Sequence, residues 1–330
     1  MSTAPIYIIG TERSGSNLMR VILNAHPNID VPHPPHLMKY FGDLAQGYGD
    51  LTQEGPRRDL VADVLRLIRT HISPWEIAID AEEVVQNSTD LMGVVGAIYD
   101  QHLRFTGKRR WGCKSTFMVH HVDAALARDP AAKFIWLVRD PRDVAASSKK
   151  SVFSPCHPLL TARLWRVQQE EALHVAETHA DSILRLRYED LLAQPEVSIR
   201  MVCDFLGEDF VPALLNHEQT QAAQQGAQLS ASWKNTAAPI LKGNTGKYKK
   251  VLNDNEIVMV ETATAPVMEA LGYLRDTQHD MPPVTEWLVQ LDNAVQRLNI
   301  EWRSLREDKN HWRRWNRAVL MAWLSFRRAS

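Results

Sequence analysis

Short apolar runs and stretches of helical spacing alternate along most of the chain. The run at residues 6–9 stops at Gly10, and apolar side chains then recur at steps of three and four residues from Leu18 to Leu23. This order predicts a strand, a glycine-containing turn and a helix. The same patterns predict strands before Lys114 and at residues 133–138 and 182–187, and helices at about residues 57–71, 89–105, 144–148 and up to Leu206.

Strands that alternate with helices favour an α/β fold, with a P-loop-type parallel sheet flanked by helices. In such a sheet, ligands bind at the carboxyl ends of the strands. We therefore expect the loops after residues 9, 113, 138 and 187 to converge. Residues 27–36 contain four prolines, which predicts an ordered loop without helix or strand.

From residue 282 onward the apolar pattern becomes a heptad. Twelve seam positions run from Leu288 to Phe326 in steps of three and four, and ten of them are apolar, Lys309 and Asn316 being the exceptions. This spacing predicts a long C-terminal helix that packs against a partner helix. The chain is accordingly divided into a main domain at residues 1–281 and a helical or coiled-coil extension at residues 282–330, through which we expect a homo-oligomer.

Two alternatives for the extension remain open. Its helix could lie against its own domain instead of a partner. Eight arginines make the extension basic, so contact with a membrane surface or an anionic substrate is the second alternative, ranked below oligomerisation.

Composition and charge narrow the class of protein. The 330 residues are 45% hydrophobic and 23% charged, which is ordinary for a soluble globular protein, and the net charge of -1 argues against a nucleic-acid partner. Cys113, Cys156 and Cys203 are too few and too far apart for a disulfide framework, and no Cys/His cluster predicts a metal site. With no secretory signal pattern and no long uncharged stretch, a cytoplasmic location is expected.

Gly10 to Asn17 form a loop that follows a strand and opens a helix. In that setting, backbone N–H groups wrap around a phosphate at the positive end of the helix. The nucleotide-hydrolase motif G-x-x-x-x-G-K-[ST] requires Lys and Ser or Thr where this chain has Ser16 and Asn17. The cation instead lies at Arg13, which suits direct binding of a phosphate by a guanidinium without a metal. A helix-capping turn, with Arg13 paired to Glu12, is the structural alternative.

A second segment, L-V-R-D-P-R-D-V-A-A-S, places Arg139 at a strand end and Ser147 two helical turns later. Together with R-S-G-S-N-L-M-R near the N-terminus, it resembles the sulfotransferase family, whose donor is 3′-phosphoadenosine-5′-phosphosulfate (PAPS). The motifs are most similar to those of the tyrosylprotein and the bacterial carbohydrate or small-molecule branches. The resemblance covers about residues 5–274 and includes the segments W-G-C-K-S, R-Y-E-D-L and K-G-N-T-G-K-Y-K.

The resemblance implies which residues bind the donor. The resemblance implies that the N-terminal loop binds the 5′-phosphosulfate. It also implies that the second segment and the K-G-N-T-G-K-Y-K segment bind the 3′-phosphate. Tyr188 matches a family tyrosine near the nucleotide, with an ordinary packed aromatic as the alternative. The implied donor-binding residues are Arg13, Ser14, Gly15, Ser16, Asn17, Arg139, Ser147, Tyr188, Lys242, Gly243 and Lys249.

The resemblance also implies a catalytic lysine and a base. Lys114 matches a lysine that contacts the sulfate and stabilises the leaving phosphate. The glutamate base of the tyrosylprotein branch falls near Pro34, so it cannot be carried over, but His33 and His36 flank that position. Imidazole accepts a proton at neutral pH, and His33 is favoured slightly over His36. Structural histidines, or a base elsewhere, are the alternatives.

The implied activity is transfer of a sulfuryl group from PAPS to a hydroxyl of a small molecule, a glycan or a tyrosine. Two other functions remain open at this point. A P-loop kinase or NTP hydrolase would use Asp140 as a magnesium ligand, and a non-catalytic nucleotide-binding protein would use its C-terminal helix for readout.

Overall fold

The computed structural model describes residues 4–229, 231–241, 243–308 and 310–328. Five strands form one parallel sheet in the order β2-β3-β1-β4-β5. The strands are β1 (Ile6–Gly10), β2 (Ile29–Asp30), β3 (Arg110–Lys114), β4 (Lys133–Val138) and β5 (Ile183–Arg187). The predicted α/β fold, a parallel sheet flanked by helices, is confirmed.

The described helices precede, connect and follow these strands. The first eight are α1 (Ser16–Asn24), α2 (Leu37–Phe41), α3 (Glu54–Arg69), α4 (Ala81–Gln86), α5 (Leu91–Thr106), α6 (Val122–Arg128), α7 (Pro141–Ser148) and α8 (Pro158–Thr178). The others are α9 (Tyr188–Ala193), α10 (Pro195–Leu206), α11 (Gln221–Leu229), α12 (Tyr248–Val251), α13 (Asp254–Ala270), α14 (Glu286–Glu307) and α15 (His311–Arg328). Short 3-10 helices lie at Leu44–Tyr48, Thr116–His121, Ala180–Ser182, Pro212–Leu214, His217–Gln219 and Ala231–Ala237.

Alternate residues of the central strands build a core on each face of the sheet. Ile6 and Ile8 pack with α1 and α10 on one face, whereas Tyr7 and Ile9 pack with α3, α5 and α8 on the other. Both faces are covered because the crossover helices of a parallel sheet lie on either side of it.

Strand β2 is a correction to the sequence prediction for residues 27–36. Its two residues pair with Arg110 and Trp111 of β3 at the edge of the sheet. The prolines at positions 27 and 32 lie outside these two residues, so the backbone N–H groups needed for pairing are present.

The C-terminal segment is a second correction, because it forms two helices where one was predicted. Asp308 has extended backbone angles, and its carboxylate accepts a hydrogen bond from the backbone N–H of Asn310 at 2.9 Å. Such a local bond competes with helix continuation. The seam position Lys309 lies outside the described residues.

Both C-terminal helices lie against the body of the same chain. The Asn293 side-chain oxygen of α14 accepts from the backbone N–H groups of Cys156 and His157, at 2.9 and 3.1 Å. Leu324 of α15 is fully buried in the main core, and Arg328 pairs with Asp63 at 3.4 Å. Across the described ranges, no helix is long and apolar enough to span a membrane.

Candidate active site

A cavity of about 920 Å³ opens at the carboxyl ends of the strands. Arg13 after β1, Lys114 at the end of β3, Arg139 after β4 and Tyr188 after β5 all line it. The four loops that were expected to converge therefore do so.

The loop after β1 approaches the opposite wall closely. Gly15 has a φ of 90° and ends the loop at the start of α1. A Cβ atom at this position would collide with the ring of Tyr188, so only glycine allows this packing. Arg13 has a φ of 74°, a left-handed conformation that is costly for a residue with a side chain.

Arg13 joins the two sequence motifs. Its Nε donates to the Oγ of Ser147 at 3.0 Å, and its backbone carbonyl accepts from Nη1 of Arg139 at 2.9 Å. The guanidinium of Arg139 also stacks on Tyr188, 4.4 Å from the ring centre. The carboxylate of Glu12, by contrast, pairs with Lys39 at 3.1 Å and accepts from Ser154 at 2.8 Å.

The segment after residue 242 is only partly directed at the cavity. Asn244 lines it, with its side-chain nitrogen donating to the Tyr188 hydroxyl at 2.7 Å. Lys249 does not line the cavity, because its ammonium lies 3.2 Å from Asp276, whereas Lys247 does. Gly243 has a φ of 83° in the turn before Asn244 and is not part of the wall, and Lys242 lies outside the described residues.

Asp143 holds this segment in place. Its carboxylate accepts from the backbone N–H groups of Gly246 and Tyr248, at 2.7 and 3.0 Å. An acidic residue on the first turn of α7 thereby fixes a loop that is 103 positions away in the chain.

Several buried hydrogen-bond donors at this end of the cavity have no partner within the described part of the chain. Two of them belong to residues that line it, Nδ2 of Asn17 and Nε of Arg139, whereas Nη2 of Arg20 and the Ser14 hydroxyl belong to residues outside the lining. Buried donors left without acceptors cost free energy, so a ligand that supplies acceptor oxygens is strongly favoured here. One of the two nitrogens that belong to lining residues is part of a guanidinium group, which suits an anion.

Lys114 is partly buried and lines the cavity together with Arg13 of the loop after β1 and with His33 and His36. Burial lowers the pKa of its ammonium to about 8, and the cations Arg20, Lys39 and Arg13 act in the same direction, whereas Glu12 opposes them. A compact cation with a lowered pKa, in a site lined by other cations, indicates a place built for negative charge.

Three histidines line the cavity: His33 and His36, which follow β2, and His71, which follows α3. Burial lowers the pKa of each well below 6.5, so they are neutral at pH 7; His71 has a pKa of about 4. His33 packs against Trp233 and His71, and neither of its ring nitrogens has solvent contact or a hydrogen-bond partner among the described residues.

His36 differs from His33 in its backbone and its hydrogen bonding. Its Nδ1 lies 3.5 Å from the Oγ of Ser115, the residue after Lys114. Its φ is 57°, and among the described residues other than glycine only Arg13 shares a positive φ. Unfavourable backbone conformations of this kind concentrate at functional sites.

The far end of the cavity has apolar walls. Phe153 and Trp233 stack there with ring centres 5.2 Å apart, and Ile72 also lines the cavity. Helix α15 closes this end with a row of residues: Arg314, Trp315, Arg317, Ala318, Val319, Met321 and Ala322.

The sequence patterns did not predict that α15 lines the cavity, nor that Asn244, Lys247 and Trp233 do. Asn244 and Lys247 lie inside the K-G-N-T-G-K-Y-K motif, so that motif was the available signal for them. Trp233 stands in a stretch without strand or helix periodicity, and nothing in the sequence marked it.

The described residues contain no group of three or more His, Cys, Asp or Glu side chains that could hold a metal. Asp140, the magnesium ligand of the kinase alternative, caps α7 and is bound by Arg142 through Nε and Nη2 at 3.0 and 2.8 Å. Its carboxylate is thus already neutralised by a guanidinium.

Sequence comparison finds matches to one family along most of the chain. The sequence model of the Sulfotransferase family matches residues 5–212, and that of the Sulfotransferase domain matches residues 160–272. Protein-tyrosine sulfotransferase 1 of Danio rerio is 24% identical over 84% of this chain and 74% of its own length. Protein-tyrosine sulfotransferase A of Caenorhabditis elegans is 22% identical over 82% of this chain and 68% of its own length.

Two solved structures share the fold. The sulfotransferase domain of the Synechococcus PCC 7002 olefin synthase superimposes with a TM-score of 0.58 and 23% identity, over 85% of this chain and 97% of that domain. The sulfotransferase domain from the curacin biosynthetic pathway gives a TM-score of 0.57 and 20% identity, over 83% of this chain and 99% of that domain.

Proposed function

Since the chain belongs to the sulfotransferase family, we propose that it transfers a sulfuryl group from PAPS to a hydroxyl group of an acceptor. The observation that carries this proposal is the buried cluster of unpaired donors where the loop after β1 meets Arg139. A metal-free anion site of this kind fits a donor that binds through phosphate and sulfate oxygens.

PAPS supplies the sulfuryl group and leaves as a bisphosphate. In our proposal, Arg13, Asn17 and the backbone N–H groups at the start of α1 hold the 5′ end, while Arg139 and Ser147 hold the 3′-phosphate. Asn244 and Lys247 complete the wall on that side. Because Arg13 bonds both Ser147 and Arg139, the two subsites are positioned by one residue.

Lys114 and His36 are assigned the catalytic roles. Lys114 provides positive charge where negative charge develops on the leaving oxygen. A neutral imidazole at His36 accepts the proton of the attacking hydroxyl. His36 takes precedence over His33, because its Nδ1 lies 3.5 Å from the Ser115 hydroxyl and its backbone is left-handed, whereas both His33 nitrogens are buried without a hydrogen-bond partner among the described residues.

Calorimetric titration tests the donor assignment. We expect 3′-phosphoadenosine-5′-phosphate to bind at least about 100-fold more tightly than ATP with magnesium, since about three charge-assisted hydrogen bonds are specific to it. Arg139→Ala should remove most of that preference, and Val167→Ala, an exposed apolar position on α8, is the control. Equal affinity for the two nucleotides would instead favour a kinase.

A screen of phenols, sugars, sterols and peptides with labelled PAPS then tests turnover. Tight binding of the bisphosphate without turnover on any hydroxyl compound would favour a non-catalytic nucleotide-binding protein. The protein-tyrosine sulfotransferases are named for tyrosine, so tyrosine peptides belong in the first round.

The acceptor is proposed to lie between the Phe153–Trp233 pair and α15. These walls are apolar, and the charged groups around them are mostly cationic: Lys39, Arg297, Arg314 and Arg317. The only lining carboxylates besides Asp143 are Glu12 and Glu301, among the described residues, and each is paired with a cation. An uncharged or anionic hydroxyl compound with an apolar body fits this environment better than a cation does.

Enlarging a residue of the α15 wall should affect the acceptor alone. We expect Ala318→Trp to raise the acceptor KM by about 10-fold or more, because the indole occupies cavity volume, while bisphosphate affinity stays unchanged. Asn316→Trp is the matched control, since residue 316 is exposed on the same helix and does not line the cavity. Equal KM values for the two variants would place the acceptor elsewhere.

A further inference from the structure

One face of α14 is apolar and uncovered. Its residues are Leu288, Leu291, Val295, Leu298, Trp302 and Leu305, and each is 45–69% exposed. The opposite face is occupied, with Val289 and Ser304 buried and Asn293 and Arg297 bonded to the 152–157 loop. These six residues form a stripe in strict heptad spacing, which we call the α14 seam, and Trp287, 64% exposed, lies beside its first residue.

We propose that the α14 seam packs against the same seam of a second copy of the chain, in an antiparallel pair of helices related by a twofold axis. A stripe of two residues per seven is the pattern that packs knobs into holes against another helix. A 22-residue helix is ~33 Å long. Contact over that length suits a dimer interface of ordinary size, about 800 Å² per partner.

The charges beside the seam select the antiparallel orientation. In an antiparallel pair, the residues that directly follow Leu291, Leu298 and Leu305 lie opposite the equivalent heptad positions of the partner helix. Those positions are Asp292, Asn299 and Arg306, all exposed. The Asp292 carboxylate accepts from Gln296 and lies 3.7 Å from Nε2 of His157, and the Arg306 guanidinium lies over the Trp302 ring, but among the described residues neither charge is bound by an opposite charge as Glu301 is by Arg314. With Asn299 opposite the partner's Asn299, Asp292 lies opposite the partner's Arg306, and the twofold axis repeats that ion pair.

The seam layers are compatible with the same register. Leu288 then meets the partner's Leu305, Leu291 meets the partner's Trp302, and Val295 meets the partner's Leu298. A parallel pair would instead direct Glu301 at the partner's Arg306, but Glu301 is already bound by Arg314 at 3.1 and 3.2 Å within its own chain. The contact is isologous, so it closes as a dimer.

A membrane surface fits the α14 seam less well. Helices that lie on anionic membranes have a broad apolar face and a basic polar face. Helix α14 contains three basic residues, Arg297, Arg303 and Arg306, against four acidic ones, Glu286, Asp292, Glu301 and Glu307. Its charge is therefore not the charge that draws a helix to anionic lipid.

Light scattering on the full chain tests the dimer. We expect the wild type to have twice the chain mass of 37.5 kDa. Leu298→Asp should raise the dissociation constant by at least about 100-fold, because it places a carboxylate in the centre of the seam. Leu274→Asp is the control, since Leu274 is 84% exposed outside the seam. A wild type of single-chain mass, with or without binding to phosphatidylserine vesicles, overturns the proposal, and so does a Leu298→Asp variant of undiminished mass.

Charge exchange and cross-linking test the orientation. Asp292→Arg and Arg306→Asp should each weaken the dimer, and the double variant should restore it. A short bismaleimide should couple Asn299→Cys to its partner but not Arg303→Cys, which lies away from the seam; the native cysteines are all buried. Failure of the double variant to recover, or coupling only at position 303, overturns the antiparallel pair. Bisphosphate affinity, measured on every variant, confirms that each is folded.

Discussion

Replacing Lys114 by alanine is expected to lower kcat by about 10²–10³-fold, the usual effect of removing one group that stabilises charge in the transition state. Affinity for the bisphosphate product should fall far less, because Arg13, Arg139 and the loop after β1 still bind it. The difference arises because charge on the leaving oxygen develops mainly as the bond to sulfur breaks. Steady-state kinetics with labelled PAPS and titration calorimetry measure the two quantities. Equal losses in both would make Lys114 a binding residue only.

The same lysine predicts the alkaline pH dependence. Its pKa is lowered to about 8, so the ammonium form is present below that pH and is lost as the pH rises through it. We therefore expect kcat/KM, which reports on the free enzyme, to fall above about pH 8. Lys114→Arg should retain part of the activity and move this decline to higher pH, since a guanidinium stays charged. A wild-type profile that is flat up to about pH 10 would contradict the assignment.

Replacing His36 by asparagine should lower kcat by about 10²-fold or more, the contribution of a positioned base. Asparagine is chosen because it tolerates the left-handed backbone at this residue, where φ is 57°, and because its amide does not accept a proton at neutral pH. Donor affinity should stay near that of the wild type. In the wild type, the acidic decline of kcat/KM should lie well below pH 6.5, because the pKa of His36 is lowered and the neutral form is lost only as the pH falls through it.

Two further variants test whether His36 acts as a base or only supports the conformation of the loop after β2. His36→Gly also keeps the backbone conformation, and added imidazole should restore part of its turnover. His33→Asn removes the other histidine and should leave kcat within a few-fold of the wild type. A larger loss in His33→Asn than in His36→Asn would reverse the assignment and return the base to His33.

The elements that the sequence predicted best are those in which local pattern and tertiary packing agree. Residues 134–138 are apolar on both faces and, together with Lys133, form the strand β4, with the bounds that the pattern predicts. The helix predicted at about residues 89–105 is α5, and Asp90 caps it by accepting from the backbone N–H of Gly93. Parallel-sheet geometry then brings together Arg13, Lys114 and Arg139, although more than a hundred residues separate the first of them from the others.

The orientation of Lys249 and the packing of the C-terminal helices depend on tertiary contacts, which the periodicity of the sequence does not encode. Lys249 belongs to a matched motif, yet the ion pair with Asp276 draws its ammonium away from the cavity. The heptad after residue 282 predicts a helix surface, but it does not indicate that Asp308 interrupts the helix or that α15 folds onto the core. Of its apolar side chains, Trp315 and Val319 border the active-site cavity, whereas those of α14 face outward.

The division of the cavity wall has an evolutionary consequence. All the residues assigned to the donor precede residue 272, where the family match ends, whereas α15 follows it after an extended connection. Substitutions on the cavity side of α15 can therefore alter one side of the cavity without displacing the groups assigned to the nucleotide. Selection can act on the two walls separately as long as the core contacts of α15, such as that of Leu324, are kept. On the proposed assignment, acceptor choice can therefore change while the residues assigned to the donor stay the same.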